Sequence, residues 1–172
     1  LVHAALPTRA ELDEYHRKLM SLRGLPARLK TVLEQIPDTA HPMDVLRTGC
    51  SMLGTLAPEE EDHHPTAAQD RADRLLASFS SMLLYWYHYS RNGRRIDVET
   101  DDPSIAAHFL RLLHGRAASP LHVRALEQSL ILYAEHEFNA STFTGRVITG
   151  TGADIYSAVT GAIGALSGPK HG

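Results

Sequence analysis

The chain has 172 residues, a formal net charge of −3, 43% hydrophobic and 22% charged residues, the proportions of an ordinary globular domain with its own core. This balance, without a basic run, argues against nucleic acid or an anionic membrane surface as partner. The single cysteine, Cys50, excludes an internal disulfide and favours a reducing, cytoplasmic setting. The most apolar window, FSSMLLYWYHY, is too short to cross a bilayer.

Helical signals run almost from end to end. In TRAELDEYHRKLMSLRG, Thr8 and Glu11 have capping-box spacing and Gly24 is the expected stop. PARLKTVLEQ and HPMDVLRTGCSML read as two further helices, and APEEEDHHP as a polar, solvated loop. A long helix is expected from Thr66, with Gln69 again at capping-box spacing. Its stripe Leu75, Phe79, Met82, Trp86 has helical period and widens to nearly every side over Leu83–Tyr89, so that half is expected to be buried all round. RNGRR closes it. Asp102 followed by Pro103 predicts the next N-cap and first turn, with Gly115 as the stop.

Ser119 and Pro120 repeat the start signal, and Val123, Leu126, Leu130 and Tyr133 keep helical spacing to about residue 135. Two shorter helices follow, NASTFTGRVITG and ADIYSAVTGAIGALS. No strand, repeat or low-complexity segment interrupts the series, and the fold class is all-α. In the last helix Ser157, Gly161 and Ala165 fall at i, i+4 and i+8. Glycine inside a helix costs roughly 1 kcal/mol relative to alanine, so such a face suits close approach by a neighbouring helix or by a second subunit. The residues leave those two open.

Eleven histidines are many for this length, and His136 and His171 each stand just after a helix. If neighbouring helices pack antiparallel, as short connections favour, an up-down-up path brings both imidazoles to one end. Competing chemistries are weaker. HEFNA lacks the second histidine that a zinc-protease helix needs, since Ala140 occupies that position. Glu60, Glu61, His63 and His64 have di-iron-like i, i+3 spacing but lie in a loop without a matching second motif. No metal is expected. TGTGAD follows a helix rather than a strand and makes a poor phosphate loop.

HPMDVLRTG, EHEFNASTFTGRV, DIYSAVTGAIGAL and GPKHG, in this order and spacing, with LRGLP and SSMLLYWYHYSRNGRRI, resemble the citrate synthase family, most nearly its bacterial 2-methylcitrate synthase branch, over essentially all 172 residues. The resemblance implies a multi-helical large domain, of which residues 1–172 are a part truncated at both ends, with the small domain and C-terminal part absent from this sequence. It implies condensation of propionyl-CoA with oxaloacetate to 2-methylcitrate and CoA, in propionate catabolism, with acetyl-CoA also accepted. A citrate synthase of the tricarboxylic acid cycle is the second reading, and a non-catalytic helical dimerisation scaffold the third.

By motif, His171 in GPKHG matches the histidine that stabilises the enolate, and His136 in EHEFN the one that hydrogen-bonds oxaloacetate. Asn139 and Ser141 stand behind them, Ser141 as the residue orienting His171. The α-carbon of a thioester is a very weak acid, so the imidazole at the enolate must be neutral and donate to the oxygen where charge develops. No cofactor is implied, because acyl-CoA is a substrate. The family's homodimer would place the Ser157, Gly161, Ala165 face at or near its interface. The second catalytic histidine, the aspartate base and the arginine clamps match nothing in these residues, so this sequence alone is expected to be inactive and to expose apolar surface.

Overall fold

A computed structural model describes residues 5–58 and 65–170. Among them the chain forms helices α1 (Arg9–Ser21), α2 (Ala27–Gln35), α3 (Pro42–Leu56), α4 (Pro65–Asn92), α5 (Ile105–His114), α6 (Pro120–Tyr133), α7 (Ala140–Gly150) and α8 (Ile155–Gly164), and no strand. The starts are set by local chemistry. The Thr8–Glu11 capping box is present, His41 accepts the amide of Met43, and Ser104, Ser119, Asn139 and Asp154 each accept an amide of the first turn. Gly115, in the left-handed region at φ 68°, closes α5 as expected.

Three boundaries differ from the sequence reading. Helix α1 is capped at Leu22, two residues before Gly24. The chain turns there and carries Arg23 inward, where its guanidinium donates to the carbonyls of Thr100 (2.8 Å) and Ser104 (3.3 Å). Thr66 lies inside α4, which begins at Pro65. Asp102 is not the N-cap of α5. Its carboxylate accepts from Arg111 Nε at 2.6 Å and Thr100 Oγ1 at 2.7 Å, which leaves the capping to Ser104. Burial works to raise the Asp102 pKa, but these donors outweigh it and hold the carboxyl below its ordinary value.

Helix α4 is the axis of the core and touches α1, α2, α3, α5 and α8. Leu75, Met82, Leu84, Tyr85, Trp86 and His88 are buried on it, and Phe79 is partly so. No residue from 77 to 90 is exposed, as the all-round apolar run predicts. Leu29 and Leu33 of α2, Val45, Cys50 and Leu53 of α3, and Tyr156 and Ile163 of α8 complete the cluster. Cys50 is packing material, its thiol pushed up in pKa by burial. The extended stretch after α4 adds Ile96 and Val98, with Asp97 and Glu99 outward between and beside them.

Polar ties pin the periphery to this axis. Glu34 accepts from Tyr85 at 2.6 Å and is gripped by both arms of the Arg95 guanidinium at 2.8 and 2.9 Å. Those hydrogen bonds, Arg95 first, lower its pKa to about 2. Lys18 bridges Asp70 and Asp73 at 2.5 and 2.6 Å, fixing α1 on α4. His108, 1% exposed, sits between Ser81 Oγ at 3.2 Å and Thr100 Oγ1 at 3.0 Å. Burial, with the nearby charge of Arg23, lowers its pKa to about 4.

At the far end the order loosens. Among the described residues helix α6 touches only α5 and buries no residue, and α7 touches only α8. The expected antiparallel packing of α6 on α7 is therefore not found. Only the α7–α8 leg of the up-down-up path packs.

Candidate functional site

Residues 134–138 connect α6 to the cap of α7, and His136 stands in the middle of them, exposed. Glu137 has φ 50°, a left-handed backbone uncommon outside glycine and asparagine, and its N–H donates to the Glu135 carboxylate. The turn presenting His136 is thus held by the two glutamates flanking it. Nothing in the sequence signals this backbone, because glutamate carries no turn preference.

Beyond the turn the cap takes over. Asn139 Oδ1 accepts the Thr142 amide at 2.9 Å and also the Ser141 hydroxyl. Asn139 and Ser141 together fix the start of α7, three residues from His136. Among the described residues Ser141 is engaged with Asn139. His171 lies outside the described residues, as do Glu60, Glu61, His63 and His64. No three metal-ligating side chains gather among those described.

Helices α7 and α8 form a hairpin around the short turn at Gly152, which has φ 82°. Their contact is made by small residues. A Cβ on Gly145 would meet the Ala162 Cβ at 3.6 Å, and one on Gly161 would lie 2.1 Å from Ile148 Cδ1. Gly161 is therefore filled from within the chain, while Ser157 is exposed and Ala165 half-buried. The hairpin alone sets the start of α7 and the end of α8 at one end of the molecule, so the loop of His136 and the residues following α8 share that end without α6.

Two grooves flank α8. One, of about 620 Å³, is lined by Ser141, Gly145, Arg146, Ala158 and Ala162. The Arg146 guanidinium lies 5.5 Å from the centre of the Phe138 ring, a cation–aromatic pair that sequence reading passed over although the two are eight residues apart. The other, of about 610 Å³, lies between α3 and α8 against Ser51, Gly54, Asp154 and Ser157. The Asp154 carboxyl is held below its ordinary pKa chiefly by the Ser157 hydroxyl. The first groove thus has the Arg146 guanidinium and the Ser141 side chain on its wall, the latter already donating to Asn139.

A family model described as citrate synthase, C-terminal domain, matches residues 1–172. The 2-methylcitrate synthase of Shewanella oneidensis is 59% identical over 172 residues, covering 100% of this chain and 45% of that protein. The citrate synthase of Deinococcus radiodurans is 37% identical over 172 residues, again covering 100% of this chain and 45% of the relative. In three dimensions the chain is similar to the citrate synthase of Thermoplasma acidophilum solved in ternary complex with carboxymethyl coenzyme A and oxaloacetate. The TM-score is 0.87 at 27% identity, over 96% of this chain and 43% of that one. The chain thus spans less than half the length of these relatives.

Proposed function

Because the chain belongs to the citrate synthase family, we propose that the whole protein condenses propionyl-CoA with oxaloacetate, giving 2-methylcitrate and CoA. The observation that carries this choice is identity of 59% to a protein named 2-methylcitrate synthase against 37% to one named citrate synthase, each over the full chain.

In this reading His136 donates to oxaloacetate, polarising the ketone that the enolate attacks. Its loop is suited to that task, being fixed on one side by Glu135 and Glu137 and on the other by the Asn139 cap. His171 would stabilise the enolate by donating, as a neutral imidazole, to the thioester oxygen as charge builds there. The proton leaves the α-carbon to a carboxylate supplied from outside these 172 residues. The new carbon–carbon bond joins the enolate carbon to the ketone carbon, and water then cleaves the thioester and releases CoA. Residues 1–172 by themselves have no such base and are expected to give no turnover. The protein would act as a homodimer in the cytoplasm, with exposed Ser157 and half-buried Ala165 at or near the interface and Gly161 already filled by Ile148.

Use of acetyl-CoA is the second reading, favoured by the likeness to the Deinococcus citrate synthase. The two differ by one methylene, which an apolar pocket distinguishes by only about 1–3 kcal/mol, or roughly 10- to 200-fold. The test is kcat/KM of the full-length protein for each thioester with saturating oxaloacetate. A preference for propionyl-CoA, with acetyl-CoA slower but measurable, is expected; a strong preference for acetyl-CoA overturns the choice.

A further inference from the structure

The polar cluster around His108 takes no part in the proposed reaction, yet its protons can be placed one by one. Arg23, Ser81, Asp102 and His108 are all buried. They come from four stretches of chain: the turn after α1, α4, the segment before α5, and α5 itself. Thr100 links them. Its hydroxyl oxygen has Asp102 Oδ2 at 2.7 Å, His108 Nδ1 at 3.0 Å and Arg23 Nη1 at 3.3 Å.

That hydroxyl carries one proton and can give it to one partner. The Asp102 carboxyl is held ionised at neutral pH by the Arg111 and Thr100 donors, so it only accepts, and the Arg23 guanidinium only donates. Thr100 therefore donates to Asp102 and must accept from His108, whose proton then sits on Nδ1. In a neutral ring the other nitrogen is bare and accepts. Among the described residues the donor facing Nε2 is the Ser81 hydroxyl, at 3.2 Å. Every bond now has a direction: Ser81 to His108, His108 to Thr100, Thr100 to Asp102.

We infer that these four residues form a one-way relay, and that the relay is a pH-sensitive clasp of α5 on α4, closed while the ring is neutral and reversed when Nε2 gains a proton. A proton on Nε2 turns that nitrogen into a donor facing a hydroxyl that was also donating. Ser81 must then swing its own proton away. The acceptor in its reach is the carbonyl one turn earlier in α4, a bond that bends helices. Of the charges acting on the ring, Arg23 opposes the proton and Asp102 favours it. Arg111, on the same helix, is spent on Asp102, and among the described residues no charge from α4 or α6 acts on the ring. Burial is the larger cause and sides with Arg23, keeping the clasp closed at neutral pH. The inference concerns the scaffold and is independent of the choice of acyl-CoA.

The relay is tested by neutron diffraction from crystals of the deuterated full-length protein near pH 7. A deuteron on His108 Nδ1, a bare Nε2 and a Thr100 deuteron aimed at Asp102 are expected; a deuteron on Nε2 alone overturns the relay. Thr100→Val removes the acceptor at Nδ1, so the deuteron should move to Nε2 and be donated to Ser81, whereas Thr100→Ser should keep the wild-type pattern. A Thr100→Val ring identical to the wild type also overturns it. The clasp is read by amide exchange of the same protein, corrected for the intrinsic rate at each pH. With the ring titrating at about 4 when closed and 6.5 when free, opening of α5 and residues 96–104 should rise about twentyfold from pH 7 to pH 5 and stay level in His108→Gln. An equal rise over α2 and α3 would mean global unfolding and overturn the clasp, as would a rise that survives His108→Gln.

Discussion

Replacing Gly54 by alanine tests how closely α3 and α8 are packed. A Cβ there would lie 2.6 Å from the Tyr156 Cβ and 2.9 Å from its Cγ, where carbons rest at about 3.5–4.0 Å. The obstructing atoms are at the root of a side chain that is 3% exposed, so no rotamer change removes them. The helices must separate by about 1 Å, and overpacking of this kind costs about 1–3 kcal/mol. Alanine returns up to about 1 kcal/mol of helix propensity. The net expectation is a loss of roughly 1–2 kcal/mol, read as a lower urea midpoint of the full-length protein at unchanged slope. Gly161→Ala is the control. Its Cβ meets the tip of Ile148, which can rotate aside at about 0.5–1.5 kcal/mol, so propensity nearly cancels the cost. A Gly54→Ala protein as stable as the wild type, or less damaged than Gly161→Ala, refutes the reasoning.

Acid should act first through His108. Its folded-state pKa of about 4 lies below the ordinary 6.5, so the unfolded chain takes up the proton first. Stability is whole above pH 6.5 and falls, by roughly 3 kcal/mol at most, as pH drops towards 4; Tm of the wild type should decline between pH 6.5 and 5 more steeply than that of His108→Gln. Glu34, held at about 2 against an ordinary 4.5, gives stability that is present above 4.5 and lost below it, so a Glu34→Gln variant should match the wild-type slope between pH 6.5 and 5. His136→Ala should leave Tm within a degree or two, since the residue is exposed, while the proposed function predicts a raised KM for oxaloacetate in the full-length protein. Asn139→Ala removes the α7 cap at a cost of about 1 kcal/mol and should also raise that KM, whereas Asn139→Asp, which still accepts the Thr142 amide, should restore most of it.

Where one local signal decides, the sequence was enough. Thr8 with Glu11, Ser119 before Pro120, and Gly115 after the α5 helix each act within a turn of chain, and each stands where the pattern puts it. Asp102 shows the limit. Its cap signal is sound locally, but Arg111 and Thr100 claim the carboxylate, and Ser104, two residues on, offers a cap of nearly equal quality. Arg23 is a similar case, since only the carbonyls of Thr100 and Ser104 explain a buried guanidinium just past α1. The left-handed Glu137 had no signal at all.

The failed packing of α6 on α7 changes what holds the site together. A three-helix path needs two interhelical contacts to align its ends, and only one is made. One suffices, because His136 precedes the α7 cap by three residues, a reach of about 10 Å even when extended. The position of its loop is therefore inherited from α7, and among the described residues α7 is tied to the core through α8, by Gly145 against Ala162 and Ile148 against Gly161. Enlarging Ala162 to leucine should then disturb the His136 loop more than removing any side chain of α6 that faces α5. Chemical-shift changes confined to α7 and α8 in such a variant, with the His136 signals unmoved, would show that the loop takes its position from α6 after all.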